Sequence, residues 1–321
     1  SVANLANYSA TPASVGSPLT IESAVRAANG TTVTLTTSPR EAWVYYTLSV
    51  KDITDTAYRL NLLVPNPTVL VLPYQVSLLA GNSNWKYNDK NEDLGTAWIA
   101  PGFDDGLWPS GPGLFWATRF NAPLAPANCD VPPATMLAWT NTIDATTWMT
   151  NIGYYFRTTF PMPSATDLAG LQSYQLRLRP IIDDGAMVYL NGQEALPVGM
   201  TNFPPITRNT LAFRSQGSTY RFEGPYALPL TNVTLGANNA IAVEVHQVNL
   251  TSSDAVFASG LEIYVPTPTV RVSAAHSGGN VVISWLHLAG FQLYGADNVE
   301  GPYTLVMVGV NPATTPYSVP P

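Results

Sequence analysis

The sequence contains little charge and almost no cysteine. Only 11% of its 321 residues are Asp, Glu, Lys or Arg, whereas soluble domains carry about 25%. Thr, Ser, Asn and Gln must therefore cover much of the surface, which suits a protein that lives outside the cell. The single cysteine, Cys129, excludes an intrachain disulfide. A secreted chain so poor in cysteine fits a bacterial surface protein better than a small eukaryotic one.

Positive charge and long apolar runs are also missing. The 14 Lys and Arg residues form no cluster, and the net charge is −7, so the dense positive charge that binds phosphate is absent. No run of about 18 apolar residues occurs. The apolar stretch from Leu60 to Leu72 is interrupted by Asn61, Pro65 and Pro67. We therefore expect no nucleic-acid partner and no membrane span.

The clearest pattern that is present is an alternation of apolar and polar residues. It occurs in residues 32–36, 46–50, 174–179, 241–245 and 281–285. A period of two with β-branched and aromatic residues predicts half-buried strands. No stretch of eleven or more residues keeps a helical period. The sequence therefore predicts an all-β fold.

Turn-forming residues divide the chain into short segments. Asn191-Gly192 separates two apolar runs and predicts a hairpin with a type I′ turn, and Gly278-Gly279 predicts a second hairpin. The composition changes near Gly81, and a Pro-Thr-Pro stretch begins at Pro266, where a strand must end. We therefore expect tandem β-sandwich domains over residues 1–79, 80–266 and 267–321.

The middle domain contains six segments in a characteristic order. They are residues 85–87, 94–98, 103–111, 155–160, 183–192 and 242–247. Together they resemble the galactose-binding-like jelly-roll modules of large bacterial secreted proteins. The resemblance covers most of residues 80–265. It implies a jelly roll that is not usually an enzyme.

The flanking regions resemble two other kinds of β-sandwich. Residues 7–9, 32–36 and 46–53 are similar to the second half of a bacterial Ig-like domain of the S-layer type, without its opening strands. Residues 281–285, 291–294 and 301–304 are similar to short fibronectin type III-like domains, without the strand that usually finishes that fold. Incomplete sandwiches expose unpaired strand edges, which a strand from another chain can fill.

Two pairs of adjacent carboxylates are candidates for chemistry. Asp104-Asp105 and Asp183-Asp184 lie in predicted loops, where Asp side chains commonly accept backbone N–H groups. Asp183 and Asp184 could instead ligate a structural Ca²⁺, and either pair could act as acid and base. No D-x-D-x-D-G spacing supports a dedicated calcium loop.

Glu244 and His246 are two residues apart and therefore share one face of a predicted strand. With Asp183 or Asp254 they could form a metal or catalytic site, although a hydrogen-bonded histidine within the sheet is the simpler interpretation. The three histidines have no zinc spacing. A G-x-S-x-G elbow and a phosphate-binding glycine loop are both absent. The sequence therefore predicts no catalytic residues.

Three tryptophans are the candidates for carbohydrate binding. Trp116, Trp139 and Trp148 fall in residues 115–152, a segment that we interpret as an irregular insertion loop. Exposed aromatic rings stack on sugars, whereas buried ones build sandwich cores. Both interpretations stay open for these three, while Trp98 and Trp108 are expected in the core. A ligand face, if one exists, is expected on this loop.

Four N-x-S/T sequons are candidate glycosylation sites. They lie at Asn7, Asn29, Asn232 and Asn249. The abundance of Ser and Thr makes glycan attachment plausible, but an Asn- and Thr-rich chain contains a few sequons by chance.

These observations favour a non-enzymatic extracellular protein of the bacterial surface. We expect a structural or adhesive subunit of a fibre or matrix, assembled from copies of itself by strand donation. The alternative is a carbohydrate-binding region of a larger secreted polysaccharide-processing protein, with glycans as partners. A third hypothesis is a hydrolase that uses Asp183, Asp184, Glu244 or His246. Apart from the candidate Ca²⁺, no cofactor is expected.

Overall fold

Strands make up most of the structure, as the alternating pattern predicts. A computed structural model describes residues 2–12, 16–41, 43–55, 60–139, 151–169, 171, 173–201 and 206–267; beyond these it describes the backbone of strands 272–277, 280–285, 294–295, 304–305 and 317–319. In this part of the chain the one α-helix is α1, Ala165–Leu168, which begins at a capping box formed by Ser164 and Asp167. No helix of the described residues is long and apolar enough to cross a membrane.

Residues 2–74 contain five short strands. They are β1 (Tyr8–Pro12), β2 (Ile21–Arg26), β3 (Val33–Thr37), β4 (Tyr46–Val50) and β5 (Thr68–Leu72). Antiparallel strands β1, β4 and β5 form a sheet in that order, and β2 pairs with β3. A 3₁₀ turn, Leu5–Asn7, precedes β1. Their small core consists of Ala10, Leu19 and Tyr46.

The central part of the chain contains twelve strands in two sheets. They are β6 (Tyr74–Leu79), β7 (Asn84–Asn88), β8 (Ser110–Pro112), β9 (Phe115–Thr118), β10 (Thr135–Met136), β11 (Gly153–Pro161), β12 (Gln175–Asp183), β13 (Gly185–Leu190), β14 (Gln193–Val198), β15 (Tyr226–Leu228), β16 (Asn238–His246) and β17 (Asp254–Val265). The first sheet has the order β14-β13-β16-β11-β7-β8; the second has the order β10-β9-β17-β12-β15, with β6 also paired to β17. Short 3₁₀ turns lie between them at Ala97–Ile99, Arg119–Asn121, Pro126–Asn128 and Leu230–Asn232.

The two central sheets face each other across an aromatic core. Phe156 on β11 stacks on Phe257 of β17 with ring centroids 4.3 Å apart. Phe115 of β9 lies 5.0 Å from Phe156, and Trp85 of β7 meets Phe257 edge to face at 5.1 Å. Because these contacts join strands of both sheets, they identify the arrangement as a β-sandwich, in agreement with the predicted fold class.

The first sheet is also covered on its outer face. Tyr155 comes directly before Phe156 on β11, so its side chain points to the opposite face of the sheet, away from this core. Trp98 packs there in a second apolar cluster with Tyr155, Met187 and Tyr189. This covering layer explains why every residue of β13 is buried, although an antiparallel sheet commonly faces water on one side.

The chain divides into two compact units, residues 75–264 and residues 1–74 with 265–321. Beyond residue 267 the strands are β18 (Val272–Ser277), β19 (Asn280–Trp285), β20 (Tyr294–Gly295), β21 (Thr304–Leu305) and β22 (Tyr317–Val319). Strand β19 pairs with β18 and β22, and β20 pairs with β21. The division into three domains at residues 79 and 266 stays a prediction.

Candidate functional site

A cleft of about 670 Å³ opens on the outer face of the first sheet. Its floor contains Trp98, Tyr155, Tyr189 and Glu244. Strand register brings them together. Tyr155 on β11 lies directly opposite Glu244 on β16, and Met187 on β13, the other neighbour of β16, also pairs with Glu244. Tyr189 is two residues beyond Met187 and therefore lies on the same face.

Glu244, whose side chain is almost completely buried, is contacted from two sides, by one hydrogen bond and by one close histidine nitrogen. The Tyr189 hydroxyl donates to Oε1, and Nε2 of His246 lies 3.2 Å from Oε2. Nε2 and Oε2 are close enough for an ion pair, but their geometry does not make a hydrogen bond. Burial, and then the Glu244 carboxylate, raise the pKa of Tyr189, so its hydroxyl stays a proton donor.

His246 is anchored through its other ring nitrogen. Nδ1 lies 2.7 Å from the carbonyl oxygen of Thr210, and a carbonyl only accepts, so Nδ1 carries a hydrogen.

Two other polar groups on the floor have no hydrogen-bond partner among the described residues. The Tyr155 side chain is 2% exposed, its hydroxyl is unpaired, and so is the indole N–H of Trp98. Burial and the carboxylates of Glu244 and Asp93 raise the pKa of Tyr155, which keeps its hydroxyl protonated. Neither atom is among the fully buried unpaired atoms of the described residues, so both are open to the cleft and offer free hydrogen-bonding capacity.

The rim of the cleft is polar. It is lined by Asp93, Thr96, Gln193, Glu194, Thr207 and Arg208. Nη1 of Arg208 donates to the carbonyl of Asn91 at 2.7 Å, which fixes its position. Among the described residues of the rim, the carboxylates of Asp93 and Glu194 face the guanidinium of Arg208, so the rim is net negative.

Arg157 holds the loop that carries Trp98. Its guanidinium is buried, donates to the carbonyls of Trp98 and Ala100, and lies 2.9 Å from Oδ2 of Asp105. Asp104 accepts from the backbone N–H of Gly106 at 3.0 Å. The Asp104-Asp105 pair therefore organises this loop, as the capping interpretation expects.

Asp183 and Asp184 are both buried, yet they differ in their surroundings. Oδ1 of Asp184 accepts from the N–H of Gln216 at 2.9 Å, and Oδ2 accepts from the N–H of Val248 at 2.8 Å. Burial, together with the neighbouring carboxylates of Asp184 and Asp254, raises the pKa of Asp183 to about 10. Asp184 is thus an acceptor that joins loops, whereas Asp183 holds a proton at neutral pH.

The Ca²⁺ site at Asp183 and Asp184 stays a prediction. Both oxygens of Asp184 accept backbone N–H groups. Within the residues that the structure describes, no group of three or more His, Cys, Asp or Glu side chains could hold a metal ion.

The predicted tryptophan candidates are not brought together at the cleft. Trp116 lies on β9, which pairs with β17, so its segment is a strand rather than the irregular loop that we expected; its aromatic and β-compatible neighbours favour pairing. Trp116 packs against the core cluster around Leu114. Trp139 is 7% exposed, and Trp148 lies outside the described residues. Their role in carbohydrate binding stays a prediction.

The four sequons occupy different environments. Asn29 and Asn249 are exposed, and each accepts a backbone N–H two residues further on. Asn232 is half-buried and donates to the carbonyl of Glu194. Asn7 is buried and donates to the carbonyl of Asp52. The amide nitrogen of Asn29 also donates to the Thr32 hydroxyl at 3.0 Å, so the two exposed sequon residues differ in how free the attachment atom is.

Sequence reasoning missed most of the cleft. Glu244 and His246 were singled out by their spacing, but Tyr155, Tyr189 and Arg208 carried no motif. The signal that could have found Tyr155 is its place one residue before Phe156: an aromatic pair on one strand sends one ring to each face of the sheet.

Comparisons with known proteins give no family. No family model matches the chain, and no curated protein matches it. Among solved structures it is similar to the β-glucuronidase of Ruminococcus gnavus in complex with uronic isofagomine, with 14% identity over 67% of this chain and 32% of that one, and a TM-score of 0.33. The apo form of the same enzyme gives 14% identity over 67% and 33% of the chains, with the same TM-score of 0.33. The chain thus spans about a third of the length of these proteins, and a similarity this weak does not extend to their activity.

Proposed function

We propose that the protein is a non-enzymatic structural or adhesive subunit of an extracellular bacterial fibre or matrix. In this proposal, copies of the chain associate by adding strands to open sheet edges. The observation that carries it is the edge strand β5, which is apolar, uncharged and exposed.

Strand β5 has the features of an unprotected edge. It lies at the end of the β1-β4-β5 sheet, and in the described part of the chain only β4 pairs with it. Val69 is 53% exposed and Leu70 is 51% exposed. Natural edge strands are normally protected by charge, by bulges or by very short length. The run from Thr68 to Leu72 contains no charged residue, so it is suited to pair with another strand.

A groove in the same unit supports the proposal. It has a volume of about 660 Å³, and Ile53, Leu62, Leu63 and Val64 contribute to its lining beside polar residues. Val64 is 81% exposed. In strand addition, backbone hydrogen bonds provide affinity and pockets receive alternate side chains. The free edge of β5 offers the backbone groups, and the groove offers a pocket within the same unit.

The test is electron microscopy of the full chain with a substitution in β5. Wild-type protein is concentrated, imaged by negative stain and analysed by sedimentation velocity; we expect fibres or large oligomers. Leu70→Lys places a charge on the edge, where it opposes pairing, and should shift the protein to monomers.

Leu107→Lys is the matched control. Leu107 is 98% exposed but belongs to no strand, so this variant should assemble like the wild type. A wild-type chain that stays a monodisperse monomer at high concentration would contradict the proposal, as would equal assembly of the Leu70→Lys variant.

A further inference from the structure

We propose that the cleft of the central unit binds an amino sugar, a hexosamine unit whose ammonium group is free. This site is distinct from the β5 edge and does not depend on assembly. It rests on the unpaired hydroxyl of Tyr155, a largely buried residue at the floor of the cleft, together with the negative charge of the rim.

The floor suits a ligand with hydrogen-bonding groups. The Tyr155 hydroxyl can donate and accept, the Trp98 indole N–H can donate, and neither has a hydrogen-bond partner among the described residues. A bound group that pairs with them adds hydrogen bonds to the complex and gains affinity. Sugar hydroxyls both donate and accept, and sugar C–H groups pack on aromatic rings such as Tyr189.

The charge of the cleft selects among sugars. Asp93 and Glu194 lie on the rim, and Arg208 is the one cation among the described residues that line the cleft. Their field reaches the floor, since Asp93 raises the pKa of Tyr155 while Arg208 lowers it. A net negative cleft repels uronic acids and phosphorylated sugars, and it attracts an ammonium group. Aromatic rings add to that attraction.

The size and the remaining side chains favour a sugar over a simple amine. A volume of about 670 Å³ lies within the range of small-molecule sites, roughly 300–1,000 Å³. Thr96, Gln193 and Thr207 on the rim can each bond a ring hydroxyl. A lysine side chain would leave these groups unused.

The experiment is a calorimetric titration of the full chain with glucosamine oligomers, which measures their dissociation constants. The comparison ligands are the N-acetylated oligomers, uronic-acid oligomers and a lysine-rich peptide. We expect the free-amine oligomers to bind at least about tenfold more tightly than the acetylated ones, a difference that equals about 1.4 kcal/mol. Titrating the Leu70→Lys variant as well separates this result from the outcome of the assembly test.

Two substitutions locate the binding to the cleft. Tyr155→Phe removes only the hydroxyl and should weaken binding about three- to tenfold. Glu194→Gln should reduce the preference for the free amine and its dependence on salt. Tyr264→Phe and Glu262→Gln, on β17 of the opposite sheet, are the matched controls and should bind like the wild type.

Three results would overturn the proposal. They are no binding of any oligomer, equal binding of free-amine and acetylated oligomers, and equal binding of the lysine-rich peptide. Unchanged affinity of Tyr155→Phe, with an unchanged melting temperature, would exclude this cleft as the site.

Discussion

Residues 2–74 and the central unit are built from the same kind of strand but bury their side chains very differently. In the central unit, aromatic rings from both sheets interlock, and a covering layer buries the outer face of one sheet as well. In residues 2–74 the core is small, and Val25, Leu60, Val64 and Leu70 are among the exposed apolar side chains.

This difference suggests that one region provides most of the folding stability and the other provides the surface for association. Burial of apolar area stabilises a fold in proportion to the area removed from water, so the central unit should carry most of the stability. Exposed apolar surface of the kind seen in residues 2–74 marks interaction sites. The following predictions test that contrast, in order of decreasing effect on folding.

The largest effect is expected in the aromatic core. Phe156→Ala removes a ring that stacks on Phe257 and should lower the free energy of unfolding by about 3–5 kcal/mol. Phe213→Ala, in the same unit but 66% exposed, should change it by less than about 0.5 kcal/mol. Urea unfolding followed by tryptophan fluorescence measures both. Equal losses of unfolding free energy in the two variants would show that the aromatic core does not dominate the stability of the central unit.

Asp184→Ala should have the next largest effect. The substitution leaves the N–H groups of Gln216 and Val248 without acceptors, and we expect a loss of about 2 kcal/mol or more. The control is Asp104→Ala, which removes one exposed cap and should cost about 1 kcal/mol or less. The same urea titration applies. A loss for Asp184→Ala no greater than for its control would contradict the role of Asp184 as a buried connector.

Asp183 should make stability depend on pH. Its pKa is raised from 3.8 to about 10 in the folded protein, so the folded chain keeps a proton that the unfolded chain releases. The stability contributed in this way is complete below pH ~4 and is lost progressively as the pH rises toward 10. Unfolding at pH 5, 7 and 9 should therefore show decreasing stability.

Asp183→Asn isolates that effect, because the amide resembles the protonated carboxyl and cannot ionise. We expect a smaller slope of stability against pH than in the wild type. An unchanged slope would mean that another group holds the proton.

The smallest effect on folding is expected from Leu70→Lys. Its side chain is half exposed on an edge strand, so the free energy of unfolding of the monomer should change by less than about 0.5 kcal/mol. Thermal melts at low protein concentration measure this. A large loss would mean that Leu70 is part of a core. The contrast in side-chain burial between residues 2–74 and the central unit would then not hold for β5.

Features that depend on neighbouring residues could be predicted from the sequence. The alternation from Tyr46 to Val50 coincides with β4. The Asn191-Gly192 turn has φ angles of 48° and 84°, as a type I′ turn requires, and it joins β13 to β14. Local sterics and period-two burial determine both, so the all-β class followed from the sequence.

The contents of the site could not be predicted in the same way. Asp183 and Asp184 are adjacent, yet one holds a proton and the other accepts two backbone N–H groups, because the loops that approach them come from distant parts of the chain. Tyr155 meets Glu244 only through strand pairing. Burial of the outer sheet face depends on the loop that Arg157 holds.

The sequence by itself therefore determined the strands, the turns and the polar, weakly charged surface, since each follows from interactions between near neighbours. Only the tertiary structure decided which edge stays open, which carboxyl is protonated and where a cleft forms. Those properties arise from contacts between residues far apart in the chain, and no local pattern records them.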